Sequence, residues 1–323
     1  MTGLDVAVTR QAFGERETHG SLHHEGREPL HVLAATDGRP QSDHALLAAR
    51  RLDAEGTLGV LSVVRRPLAD VATDPAGDDG ELSALRSRVA WQLRRVLGND
   101  VKTHIDVRLG DAPIVLASAA MSSDSLLVVG IGRPNVCDRL LGDETTLRLV
   151  RAARAPVLAV APGCALPARS VLIAVDFSAT SFAAAQMALR LAAPGANVLL
   201  VHVAPRCGEI TWGTGASGFR GDADLALEHW IHRLRGGFTG TISPVMLHGD
   251  PATELLAIAA HRSCDLVAVG AHGHGPADRG NIGSVTARLV RCARQSVVVV
   301  PRCDDVHAPG AVRLGHTAVP GTP

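Results

Sequence analysis

Gly270-Ala271-His272-Gly273, followed after nine residues by Gly283-Ser284-Val285-Thr286, is the stretch on which the reading of this chain turns. It directly follows an apolar run, Asp265-Leu266-Val267-Ala268-Val269. It directly precedes Ala287-Arg288-Leu289-Val290-Arg291-Cys292-Ala293-Arg294, whose apolar residues recur at helical spacing. The order is strand, glycine loop, helix start. Such a segment presents backbone N–H groups and a helix N-terminus to one point in space, which is an anion site with phosphate as its usual occupant.

Working outward, the same pattern occurs twice. Leu149–Arg154 matches Leu289–Arg294 at an offset of 140, and Gly130 falls on Gly270 at that offset. Gly110-Asp111 matches Gly249-Asp250, and Asp37 matches Asp176, at an offset of 139. One register held over such a length indicates a tandem duplication of whole domains. In the first half, short apolar runs at 31–35, 58–64, 104–109, 126–129 and 156–160 alternate with helical patterns at 42–52, 81–97, 112–121 and 146–154. The second half repeats this, with runs at 171–175, 198–203, 242–247, 265–269 and 296–300. Ser178 or Thr180 caps its first helix, and Asp250-Pro251 opens its third.

Alternation of apolar strands with helices specifies parallel sheets covered on both faces. The expectation is α/β: two tandem, doubly wound, five-stranded parallel-sheet domains, Rossmann-like. The spans are a disordered leader at 1–28, domains at 29–161 and 168–302, a linker Pro162–Arg169, and a disordered tail at 303–323. Ligands in such sheets sit beyond the strand C-termini, where strand order reverses. Asp176, the segment after Val203 and the glycine loop all lie at strand C-termini.

Composition narrows the function classes. Hydrophobic residues are 46% and charged residues 20%, so the chain has the means for a packed core. Lys+Arg and Asp+Glu are both 32, and aromatics are 2%, which speaks against nucleic acid as partner. No apolar run approaches a membrane span, and Met1–Arg27 has no signal-peptide core, so the expected location is the cytoplasm. The cysteines at 137, 164, 207, 264, 292 and 303 form no Cys-x-x-Cys pair and read as small apolar residues. His23-His24 and His272-x-His274 each lack a third metal ligand.

Gly270-x2-Gly273-x9-Gly283-Ser284 resembles the nucleotide-binding signature of the universal stress protein family. Ala174-Val175-Asp176-Phe177-Ser178, His202-Val203, Gly249-Asp250-Pro251 and Asp265-Leu266-Val267 agree with it, and the resemblance covers about residues 29–302. It implies an adenine-nucleotide α-hydrolase-like fold and an ATP site with a divalent cation such as Mg2+. Gly270 and Gly273 would let backbone approach the ribose and phosphates. Gly283, Ser284, Val285 and Thr286 would donate backbone and hydroxyl hydrogen bonds to the phosphates. Asp176 would serve the ribose or cation, and Ala174 and Val203 would wall the adenine. His272 would either touch the nucleotide or face solvent.

The first half departs from that signature. Arg133 stands for the second glycine, Asp143 for the third and Glu144 for the serine, with Gly142 one position out of register. Two carboxylates at the helix start repel a triphosphate while suiting an unliganded helix dipole. The expectation is one nucleotide site per chain, in the second half, with Asp37 a turn or capping residue. Arg148, Arg151, Arg154, Arg288, Arg291 and Arg294 read as solvated faces, Trp91 and Trp230 as packing residues, and Trp212 as an exposed lid. No lysine lies in the phosphate loop and no general base can be nominated, so ATP hydrolysis would be slow and incidental. The function expected is regulatory, with loops 208–221 and 271–283 ordered by nucleotide and read by an unidentified protein or a second copy of the chain. The alternatives are a scaffold in which the halves dock through Val157–Val160 and Val297–Val300, and, more weakly, a true nucleotide hydrolase or transferase.

Overall fold

A computed structural model describes residues 30–53, 56–65, 78–120, 125–131, 144–204, 216–273 and 282–301. The expected leader and tail, Trp212, the His23-His24 and His274 sites, and Cys137, Cys207 and Cys303 lie outside the described residues.

The first half runs β1 His31–Ala35, a 3-10 turn Pro40–Ser42, α1 Asp43–Leu52, β2 Thr57–Arg65, α2 Asp78–Leu97, β3 Lys102–Gly110, α3 Ala112–Ala119, β4 Ser125–Gly130, α4 Glu144–Ala152 and β5 Val157–Val160. The second runs β6 Ala168–Ala174, α5 Ala179–Leu191, β7 Ala192–Ala204, α6 Ala216–Leu234, β8 Thr241–His248, α7 Pro251–His261, β9 Leu266–Gly270, α8 Ser284–Cys292 and β10 Ser296–Val300. Element type matches the sequence expectation except at 216–221, which is expected within the loop 208–221 and instead opens α6. The ends shift because pairing outlasts the apolar pattern. All nine residues of β3 pair with β2, although its apolar centre is shorter. β7 starts directly after α5, with Ala192 opposite Ala168 before the register jumps to Asn197 opposite Ser170. The expected linker Pro162–Arg169 accordingly loses Ala168 and Arg169 to β6.

The ten strands among the described residues form one sheet, ordered β3-β2-β1-β4-β5-β10-β9-β6-β7-β8. Each half is parallel and doubly wound, with order reversing between β1 and β4 and again between β6 and β9. The halves meet where β5 pairs antiparallel with β10, Val297 opposite Ala159 and Val299 opposite Val157. This is the docking through last strands expected under the scaffold reading.

Both sheet faces are covered, so the central strands are apolar at every position. In β10, Val298 and Val300 join the core under α1, α2, α5 and α6, while Val297 and Val299 join the core under α3, α4, α7 and α8. Each such fully buried Val or Leu contributes about 1.5–3 kcal/mol. Outer strands β3 and β8 carry charge and proline instead: Arg108 pairs with Asp106 at 2.7 Å, and Pro244 sits in β8. Both devices suit a sheet edge.

The tryptophans divide. Trp230 is buried, edge-on to Phe177 and Phe182. Trp91 is not a packing residue: it is 57% exposed, with the Arg95 guanidinium over its ring at 5.1 Å. Its neighbour Gln92 is fully buried instead.

A cleft at the second switch point

β6 delivers Ala174, Val175 and Asp176 to its carboxyl end, where the Val175 N–H donates to the Val201 carbonyl at 2.8 Å. Asp176 Oδ1 accepts from the Ser178 N–H at 2.9 Å, which closes a tight turn. Ser178, rather than Thr180, caps α5, its side chain accepting from the Ser181 N–H. Phe177, between them, has φ +63°, a left-handed conformation that a bulky residue rarely takes. Its ring lies 4.7 Å from that of His202, whose Nδ1 bonds the Val175 carbonyl at 2.8 Å. The strained turn is thus fastened from two sides.

The glycine loop leaves β9 under comparable restraint. Ala271 donates its N–H to the Val300 carbonyl, and Gly283 donates its N–H to the Ala271 carbonyl, both at 2.8 Å. Thr286 Oγ1 donates to the Gly270 carbonyl at 2.7 Å. Thr180 Oγ1 donates to the His272 carbonyl. Three consecutive carbonyls are therefore tied back into the protein.

Two expected roles change with this geometry. A Cβ on Gly270 would come within 2.9 Å of Thr180 backbone and side chain, so this glycine admits the first turn of α5. The Thr286 hydroxyl, buried at 3% exposure, is engaged with the loop instead of aimed at a phosphate. Gly273 behaves differently, because its missing Cβ faces the site: an added Cβ would stand 2.5 Å from Asp176 Oδ2.

Helix α8 begins at Ser284 with Gly283 as N-cap and no side-chain cap. The Ala287 N–H is the first to find an intrahelical acceptor, the Gly283 carbonyl at 2.9 Å. The amides of Ser284, Val285 and Thr286 precede it in the first turn, where helices leave donors for an anion.

These pieces enclose a cleft of ≈ 270 Å3 across the β6/β9 reversal. All ten residues singled out in the sequence line it: Ala174, Asp176, Val203, Gly270, His272, Gly273, Gly283, Ser284, Val285 and Thr286. Sequence reading missed His202, Val201, Ser181 and the α7 residues Pro251 and Leu255, which line it too. His202 stood beside Val203 in the quoted motif, but nothing in the pattern separated wall from neighbour. Asp176 is the one acidic side chain among the described lining residues. His272 is half-buried, with Nδ1 and Nε2 sealed from solvent and without a hydrogen-bond partner among the described residues. A neutral imidazole carries one donor and one acceptor, so this ring has both to offer.

Flanking motifs are structural. Asp265 Oδ2 accepts from the Arg169 and Ser170 N–H groups at 2.9 and 3.0 Å, aligning β6 with β9. Asp250 caps α7 by accepting from the Thr253 N–H, and Arg288 Nη1 donates to it at 2.6 Å. The Thr253 hydrogen bonds, aided by Arg288, hold the Asp250 carboxyl below the usual carboxylate range. Arg148 pairs with Asp111 in the first half in the same way. Arg148 and Arg288 are therefore solvated, as expected, and also strap neighbouring helices, their side chains 47% and 48% exposed. Cys164, Cys264 and Cys292 are free thiols, and burial raises the pKa of Cys264. Among the described residues no group of three or more His, Cys, Asp or Glu could hold a metal, and no helix is long and apolar enough to cross a membrane.

Fold and cleft define the class: a tandem Rossmann-like α/β protein with its cleft at a strand switch point. The sequence profile described as "Universal stress protein family" matches residues 30–161 and again 167–301, and the chain belongs to that family. Among solved structures it is similar to a universal stress protein from Archaeoglobus fulgidus (20% identity, 86% of this chain and 98% of that one, TM-score 0.62). It is also similar to a putative universal stress protein from Pseudomonas aeruginosa (14% identity, 84% and 93% covered, TM-score 0.59). A universal stress protein solved in complex with cAMP aligns with 42% of this chain and 97% of its own, at 21% identity and TM-score 0.35. No curated protein matches the sequence.

Proposed function

We propose that the second half binds ATP, one molecule per chain, and that the bound nucleotide sets the state of a regulatory stress-response protein. The observation that carries this is Gly273 stacked against Asp176 beside an uncapped helix start, a cradle that any Cβ would fill. Ala174 and Val203 would hold the adenine. Asp176 would take the ribose or a cation such as Mg2+ brought by the phosphates. The amides of Ser284, Val285 and Thr286 would receive phosphate oxygens, and His272 would gain the partner it lacks. Gly270 and Thr286 act through the loop, by holding its backbone in place. No side chain in the cleft is assigned a catalytic role, so hydrolysis stays slow and incidental. The site of action in this reading is the cytoplasm, with a second copy or another protein reading the nucleotide-dependent surface.

A second reading is favoured by one observation, the β5–β10 pairing. It makes the chain a built-in pseudo-dimer that serves as a scaffold irrespective of nucleotide.

Calorimetric titration of the full chain with ATP, together with mass spectrometry of nucleotide released from the purified protein, separates the two. The nucleotide reading expects saturation near one equivalent, lost in Gly273→Arg and kept in Gly130→Ala. Absence of saturable binding, or equal loss in both variants, refutes it.

A further inference from the structure

The corresponding corner of the first half is rebuilt with different chemistry. Asp37 matches Asp176, each accepting from the N–H two residues on, and Ser62 bonds the Thr36 carbonyl as His202 bonds that of Val175. Where the second half has Phe177 at φ +63°, the first has Gly38 at φ +77°. The missing side chain is used: a Cβ on Gly38 would meet Cδ and Cγ of Arg88 at 2.8 and 2.9 Å. Gly38 thus lets the stem of Arg88 cross the turn.

Arg88 does not stand alone. A cleft of ≈ 450 Å3 opens at the carboxyl ends of β1 and β2, larger than the one in the second half. It is lined by Arg39 from the turn after β1, Arg65 from the end of β2 and Arg88 from α2. Three guanidinium groups thus come from three separate elements. Two acids accompany them. Asp37 pairs loosely with Arg39 at 3.5 Å, both side chains more than half exposed, and Glu81 lies on α2. An exposed pair of this kind is worth at most about 1 kcal/mol, little hindrance to a competing anion. The floor is apolar, formed by Val63, Val64 and Leu85. Arg65 also donates to Thr145 Oγ1 at 3.1 Å, reaching the first turn of α4, which matches the phosphate-facing turn of α8.

We propose that this cleft binds a small phosphomonoester through Arg39, Arg65 and Arg88, with its organic body on the Val63–Leu85 floor. Anion holding has moved from backbone amides at a helix start to planar guanidinium forks. The fork geometry matches phosphate oxygens in pairs, which is how arginine outperforms a point charge. The ligand need carry no adenine, because the glycine loop is not part of this cleft.

Phenyl phosphate is the probe, with phenol and inorganic phosphate as controls, titrated into the full chain at constant ionic strength. Saturable binding of phenyl phosphate is expected, tighter than phosphate and with no response to phenol. Arg39→Gln and Arg88→Gln should each weaken it about tenfold. Gly273→Arg, which closes the second-half cleft, should leave it intact, so failure of the ATP reading and failure of this one are read on different variants. No saturable binding at millimolar probe overturns the proposal. So does loss in Gly273→Arg with retention in Arg88→Gln, which would put the probe in the other half. A fall in melting temperature in the arginine variants with unchanged probe affinity would also overturn it, since that marks a salt-bridge cluster only.

Discussion

The two halves share one topology and differ at the corner where β1 or β6 turns into its first helix. In the first half that corner is a polar knot. Thr36 Oγ1 donates to Gln92 Oε1 at 2.7 Å and lies 2.6 Å from Ser42 Oγ, while Gln92 Nε2 donates to the Arg39 carbonyl and to Asp43 Oδ1, both at 2.7 Å. In the second half it is aromatic, built from Phe177, Phe182, His202 and Trp230. Gly130 and Gly270 survive in both because each makes room for a helix: a Cβ on Gly130 would sit 3.1 Å from Ser42 Cα, as one on Gly270 would sit 2.9 Å from Thr180. Gly273 faces the cleft, and its counterpart is Arg133. The glycine kept in both halves is the packing one, while Gly273 and Gly283, whose counterparts are Arg133 and Asp143, line the cleft.

The comparison breaks most decisively if Gly273→Arg still binds ATP. The added side chain must displace Asp176, and a loss of a hundredfold or more in calorimetric affinity is expected, roughly 2.7 kcal/mol. The reciprocal graft sharpens it. Arg133→Gly, Asp143→Gly and Glu144→Ser together should not restore a second ATP equivalent until Arg65→Ala removes the guanidinium bonded to Thr145. Stoichiometry of binding reports the result.

Gly270→Ala and Gly130→Ala should both lower stability in urea by about 1–3 kcal/mol through overpacking, Gly270→Ala by more. A neutral Gly130→Ala would mean that the two glycines do different jobs. Thr286→Val should cost about 1–3 kcal/mol of stability by orphaning the buried Gly270 carbonyl, with Thr286→Ser restoring it. ATP affinity should fall only a few-fold, because the hydroxyl acts on the loop.

The smallest expected effect is in pH dependence. Burial lowers the pKa of His44 below 6.5, against opposing hydrogen bonds from the Val160 and Ile131 backbone and the charge of Asp43. With the folded value depressed, the folded state binds fewer protons. Its contribution is complete above 6.5 and is lost as pH falls toward the folded value. Asp250, also depressed, follows the same sign in the carboxylate range. Urea unfolding between pH 7 and 5 should show a shallow loss of stability that His44→Leu removes and Asp250→Asn leaves in place.

Much of this was legible in the sequence for local reasons. Apolar strands of four or five residues announce a doubly covered sheet, and a repeat register near 140 announces two of them. The signature glycines point to one cleft because strand-to-helix loops at a switch point converge by topology alone. Roles within the cleft were less legible. Gly270 and Gly273 look equivalent in the string, and only their neighbours, Thr180 for one and Asp176 for the other, separate packing from site. Thr286 has the residue type for a phosphate contact, yet its hydroxyl is taken by Gly270. Trp91 read as core because helical periodicity tolerates a one-position rotation, and the rotation put Gln92 inside.

The sequence by itself determined the α/β class, the duplication and the loss of the glycine signature in the first half, because these depend on residue type at fixed spacing along the chain. Tertiary structure decided that the halves merge into one ten-stranded sheet, that a glycine serves a helix or a cleft, and that three arginines far apart in sequence meet at one opening. Those outcomes depend on which atoms approach one another in space, and chain spacing does not carry that information.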